Sequence, residues 1–195
     1  MPKENIERAI KRGTGQLPGE KLEEVLYEAY GPGGIAIIIE TITDNRNRTL
    51  SEIKHILNQY GGKLAGPGSV KWLFERKGCI TVDANLQSDS DNKARESSAK
   101  SKEGLEMAAI EAGAQDIYWQ GDTLEVYTKP EEIGKVRENL EKRKVHIISA
   151  SLDWVAKNEV EINTDQRKKC QSLFEALDEL DSVKDIYSNL KYVSN

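Results

Sequence analysis

YGPGGIAIIIETITDNRNRTLSEIKHILNQYGGKLAGPGSVKWLF, residues 30–74, is the stretch from which the rest of the chain can be read. Ile35 to Ile39 are apolar on both faces, as in a strand covered twice. Thr49-x-x-Glu52 has the form of a capping box, and Ile53, Ile56, Leu57 and Tyr60 carry a helical stripe that Gly61 ends. Ser69 to Glu75 alternates as a strand does. Working outward, 23–30 is a second strand, and Gly31-Pro32-Gly33-Gly34 joins it to 35–43 as a hairpin connection. Downstream, 79–155 spells strand, helix, strand, strand, helix, strand. Gly113 closes the first of these helices, Gly121-Asp122 marks a hairpin and Pro130 opens the second helix. That order is a complete ferredoxin-like unit. A second, discontinuous unit follows if the 35–43 strand, the 50–60 helix and the 69–75 strand join a 158–162 strand, a 165–180 helix and a 186–190 strand.

The expected fold class is therefore α+β: two ferredoxin-like α/β-sandwich domains, one inserted in the other, with a short helix at 3–12. Expected boundaries are 1–21 for the opening helical segment, 22–77 plus 156–195 for the discontinuous domain, and 78–155 for the insert. Gln87 to Ser101 is polar and reads as an exposed loop running into a helix.

Composition narrows the function classes. A chain of 195 residues buries about 70% of its unfolded surface, enough for a real core. No apolar run reaches the roughly 18 residues of a membrane helix. MPKENIERAIKRG lacks a secretory h-region, and Glu4 and Glu7 argue against a transit peptide. Cys79 and Cys170 are far apart, without metal spacing, which suits a reducing cytoplasm. No membrane partner, metal or small-molecule cofactor is expected. Charge is uneven: residues 45–77 hold seven Lys/Arg against two acids, +5, whereas the whole chain is −5 and the remainder therefore −10. A local basic element on an acidic body points to an anionic partner met at one place, and an acidic body makes a poor indiscriminate duplex binder.

Three constellations could meet such a partner. Asn45, Arg46, Asn47 and Arg48 precede a helix start, where free N–H groups and the dipole favour an anion and two guanidiniums could clamp a phosphate. An ordinary strand-to-helix turn with solvated arginines accounts for them equally well. Tyr30 with Gly31, Pro32, Gly33 and Gly34 could form a backbone nest for an oxyanion, or simply a turn requiring positive φ. The Gly-Lys-Ser/Thr ending of a P-loop is missing. Trp72 and Phe74, two apart on the alternating segment, are either a base-stacking platform or core, and core is favoured. Lys54 and Lys63 extend the cationic set. Catalytic signatures are lacking: His55 and His146 stand alone, and no serine sits in a G-x-S-x-G elbow. The chain does not read as an enzyme.

MPKENIERAIKRG, YEAYGPGGIAIIIE, TDNRNRT, IKHILNQYGG, GSVKWLFERKG, EAGAQDI and FEALDEL resemble the YebC/PmpR family across essentially the whole chain. The resemblance implies an N-terminal helical domain followed by two α+β domains, one inserted in the other. It implies a probable transcriptional regulator that binds DNA. It alternatively implies a translational activator that binds ribosomal RNA on the ribosome and relieves stalling at proline-rich stretches. Family members carry a Lys- and Arg-rich segment ahead of the MPKENIERAI motif, so the expectation is that most of the helical domain is lacking here.

Overall fold

The computed structural model describes residues 22–84 and 102–191. The expected helix at 3–12 and the polar 87–101 segment lie outside them. Among the described residues the chain divides into two compact units, one built from 22–73 and 156–191, the other from 74–84 and 102–155.

The first unit begins with a hairpin, β1 (Glu23–Tyr30) and β2 (Ala36–Thr43), paired residue for residue from Glu23↔Thr43 to Tyr30↔Ala36. Helix α1 (Arg46–Gln59) returns to a short edge strand, β3 (Lys63–Ala65). The chain re-enters the unit at Ala156, and α4 (Thr164–Asp178) and β8 (Val183–Ser188) complete it. The antiparallel sheet has the order β3-β1-β2-β8. The strand β2 thus connects through α1 to β3 with β1 between them, the split β-α-β of a ferredoxin-like sheet. The position expected for 158–162 is filled instead by β1. That segment keeps only a single parallel bridge, Val160↔Leu190.

Alternation explains the double coverage of β2. Ile35, Ile37 and Ile39 point toward Ile53 and Leu57 of α1 and Cys170, Leu173 and Leu177 of α4, all fully buried. Ile38, on the other face, is also fully buried, and its register partner is Glu28. The Glu28 carboxylate accepts from the N–H groups of Gly68 (2.5 Å), Val70 (2.7 Å) and Lys71 (2.8 Å), fastening the 66–71 loop to that face. This is why 69–75 is not the strand that its alternation suggests: a side chain, not a neighbouring strand, takes its N–H groups. Lys71–Leu73 forms a 3-10 turn instead.

Helix α1 starts earlier than the Thr49 box implies. Asn45 is the cap, accepting from Arg48 N at 3.1 Å, and its own N–H donates to Thr43 Oγ1 at 3.0 Å. Thr49 is fully buried and its hydroxyl bonds that of Thr43 at 2.9 Å. An asparagine cap outcompetes a threonine whose oxygen is engaged elsewhere.

The second unit contains β4 (Phe74–Asp83), α2 (Lys102–Ala112), β5 (Asp116–Gln120), β6 (Thr123–Thr128), α3 (Ile133–Lys142) and β7 (Ile147–Ala156, its last residue in the first unit). Its sheet order, β5-β6-β4-β7, is ferredoxin-like. Ile80, Val82, Leu124 and Val126 meet Leu105 and Ala109 of α2 and Val136 and Leu140 of α3 in one core. The strand expected to open the 79–155 unit starts earlier than that, at Phe74, and runs ten residues through Gly78. Gly78 is there for close approach: a Cβ would collide with Thr128 Oγ1 and lie 2.8 Å from Ile133 Cβ. Gly78→Ala should lower unfolding stability by about 1–3 kcal/mol through overpacking, read from urea denaturation; an unchanged midpoint would show that Thr128 and Ile133 yield freely.

Candidate nucleic-acid interface

The sites expected from sequence fall into two groups, at opposite ends of the β1–β2 hairpin. Tyr30 and the Gly31–Gly34 turn lie at one end, Asn45 to Arg48 at the other. Eight-residue strands separate them by roughly 25 Å at about 3.3 Å per residue. Lys63 is paired with Tyr30 and belongs to the glycine end; Lys54 is exposed on α1 between the two. The arrangement does not bring them into one ridge.

At the arginine end, Arg46 and Arg48 occupy the first turn of α1 rather than a loop before it. Arg46 Nε bonds Glu23 Oε2 at 2.5 Å, and Arg48 bonds Asp44 Oδ1 at 2.7 Å. The two arginine side chains are 64% and 56% exposed. Pairs so placed are worth about 0–1 kcal/mol, so a phosphate with bidentate geometry can displace the carboxylates. Asn47 is exposed, with its carbonyl taken by Ser51 Oγ at 2.8 Å.

At the glycine end the turn is mostly structural. Gly31 N donates to Ile35 O at 2.8 Å and Gly34 N to Gly31 O at 3.0 Å, so these two N–H groups are engaged within the turn. Pro32 is buried, and its carbonyl accepts from the Cys170 thiol at 3.5 Å. Gly33 and Gly34 have φ of +78° and +79°, and Gly33 presses on Ile162 and Gln166 beside the start of α4.

Beside this turn lies a feature that sequence reading assigned to the core. Trp72 is 65% exposed and Tyr30 40%. The Trp72 indole N–H donates to Ser69 O at 2.9 Å, and the Tyr30 hydroxyl to the same oxygen at 3.3 Å. Lys157 holds the backbone here: its N–H donates to Leu73 O and its Nζ to Trp72 O, each at 2.9 Å. Phe74 is buried and starts β4, so it shares no strand face with Trp72. The signal available in the sequence was Gly66-Pro67-Gly68, which argues for a loop rather than a strand just ahead of Trp72. Trp119 packs against the second unit's core with its N–H on Glu106 at 2.6 Å, and Trp154 lies under the Arg76 guanidinium at 5.1 Å.

Glu28 organises the loop electrostatically. Burial pushes its carboxyl up, but three backbone donors and the nearby Lys71 charge outweigh this, leaving it below the ordinary value. The cysteines go the other way. Burial, then the charges of Asp153 and Glu125, push the Cys79 thiol up to about 12, and burial raises Cys170. Such thiols are poor nucleophiles. His55 and His146 are exposed on separate segments. Among the described residues, no group of three or more His, Cys, Asp or Glu is placed to hold a metal, and no helix is long and apolar enough to cross a membrane.

A family model described as the second and third domains of TACO1/YebC matches residues 22–190. A probable transcriptional regulatory protein of Pseudothermotoga lettingae is 44% identical over 98% of this chain and 70% of its own length. One of Thermotoga maritima, with the same description, is 42% identical over the same shares. The crystal structure of a conserved hypothetical protein from Aquifex aeolicus superposes with a TM-score of 0.81 at 44% identity, covering 98% of this chain and 74% of that one.

Proposed function

The chain belongs to the TACO1/YebC family, and we propose that it is a regulator of gene expression that works by binding nucleic acid and catalyses no reaction. Its relatives' description as probable transcriptional regulatory proteins supports the regulatory half and makes DNA the first target to test. The observation that carries the binding half is the exposure of Arg46, Arg48, Lys54 and Lys63 within a +5 segment of an acidic chain. Each can neutralise a phosphate. The buried, proton-retaining thiols and the separated histidines support a non-enzymatic role.

A second reading, ribosomal RNA on the ribosome with relief of stalling at proline runs, is favoured by one feature. Arg46 and Arg48 stand at one end of a hairpin and Lys63 at the other with Lys54 between them, a sparser set than the continuous stripe that tracks a duplex. Folded RNA is recognised by a few shape-matched contacts.

Filter binding of DNA and RNA across a salt series tests the proposal. Four phosphate contacts give a log–log salt slope of about −3 to −4, and the double variant Arg46→Ala/Arg48→Ala should flatten it by about 1–2. Its stability should hardly change, because both ion pairs are exposed. Retention of neither nucleic acid at any salt would end the proposal. Co-sedimentation with ribosomes, with duplex DNA bound only weakly, would select the second reading.

A further inference from the structure

Tryptophan is costly to leave in water, and a tryptophan with its N–H satisfied and its ring still exposed has a ring surface available to something else. Trp72 is in that state. Ser69 O holds the indole edge, Lys157 holds the carbonyls of Trp72 and Leu73, and the preceding loop is fastened by three bonds to buried Glu28. Tyr30 is anchored to the same Ser69 oxygen. Two exposed aromatic side chains are thereby fixed next to each other, so little conformational freedom remains to be lost on binding.

The surroundings indicate the ligand. Lys63, the register partner of Tyr30, projects from the same face of the sheet and is exposed. The Lys157 ammonium gives one donor to Trp72 O and keeps two. Glu28, the acid that fastens this loop, is 5% exposed with its oxygens occupied by backbone donors. Flat aromatic surface between cations matches a base with phosphates on either side. It does not match a protein partner, which needs about 800 Å² on each side around an apolar centre.

We propose that Trp72, with Tyr30 beside it, is a stacking platform for an unpaired RNA base whose neighbouring phosphates are met by Lys63 and Lys157. A duplex hides its base faces, whereas RNA loops and single strands present them readily, and stacking on aromatic side chains is how such bases are held. The proposal rests on the nucleic-acid reading above and specifies where and in what form the ligand is bound.

The test uses the full chain with a labelled single-stranded oligoadenylate RNA, the DNA oligomer of the same sequence and a duplex RNA, followed by fluorescence anisotropy across a salt series. Trp72→Ala should weaken single-strand binding by about tenfold or more, while Trp72→Phe keeps most of the affinity. The salt slope of Trp72→Ala should stay that of the unaltered chain, because no charge is removed, and duplex binding should not change. Thermal melting of both variants should match the parent, since the side chain is exposed. Single-strand affinity unaffected by Trp72→Ala overturns the platform and leaves the nucleic-acid reading standing. Equal losses on single strand and duplex overturn the unpaired base, and tighter binding of the DNA oligomer overturns the choice of RNA. Failure of the parent chain to bind any of the three probes removes the nucleic-acid reading and the platform with it.

Discussion

Glu28→Ala is expected to destabilise the first unit by about 3–5 kcal/mol, the range seen when one side of a buried charged network is deleted. Three N–H groups at Gly68, Val70 and Lys71 would lose their acceptor together, and the 66–71 loop would lose its fastening to the sheet. Glu28→Gln keeps the shape and one acceptor oxygen, so it should cost less, about 1.5–3 kcal/mol. Acidification separates the charge from the shape. The folded carboxyl titrates below its ordinary value of 4.5. Its stabilisation is therefore complete above that value, declines as the pH falls below it, and is gone once the pH has passed the lowered folded value. Urea midpoints followed from neutral pH down to about pH 3 should fall for the parent chain. The contribution of Glu28 should be missing from the Gln variant. Parent and Gln variant losing stability in parallel would show that Glu28 does not stay ionised in the fold. The same substitution bears on function, because the loop it would loosen carries Trp72.

This carboxylate also marks where the sequence stops being legible. The architecture of the second unit could be read because its signals are local. Leu105, Ala108, Ala109 and Ala112 repeat at helical spacing, Gly121-Asp122 sits between two alternating strands, and each signal has its effect within a few residues. In the first unit the deciding interactions are long-range. Glu28 captures N–H groups some forty residues away, and no propensity of Ser69 to Glu75 reveals that. Once the 69–75 strand is lost, Lys63–Ala65 becomes the partner of β1, and β1 moves to the middle of the sheet. The candidate site suffered in the same way. The residues Tyr30, Gly31–Gly34 and Asn45–Arg48 are close in sequence, but a hairpin places its turn and its open end as far apart as its strands are long. Alternation pairs Trp72 with Phe74 and so implies a core position for both. The glycines around Pro67 were the contrary signal, and they were correct.

Gly33→Ala and Gly34→Ala make a matched pair that separates backbone strain from packing in the turn. Both glycines have nearly the same left-handed φ, +78° and +79°. A residue with a Cβ in that region costs about 1–2 kcal/mol, and this should be the whole effect at Gly34, where an added Cβ meets nothing within 4 Å. At Gly33 the added Cβ would lie 2.7 Å from Ile162 Cγ2 and 3.1 Å from both Cδ and Oε1 of Gln166. Gln166 cannot withdraw freely, because its side chain accepts from Asn163 N while Asn163 caps α4 in return. Overpacking of about 1–3 kcal/mol therefore adds to the strain, and Gly33→Ala should cost about 2–5 kcal/mol in total. Chemical denaturation of the two variants side by side reads the difference directly. Equal losses would mean that Ile162 and Gln166 move aside and that the turn is not pressed against α4. The pair also tests the choice between oxyanion nest and hairpin turn. Gly34 is exposed and its substitution leaves the packing intact, so a nest would lose anion affinity in Gly34→Ala, whereas a turn made to join β1 to β2 would lose only stability. With the N–H groups of Gly31 and Gly34 already engaged inside the turn, the second outcome is the expected one.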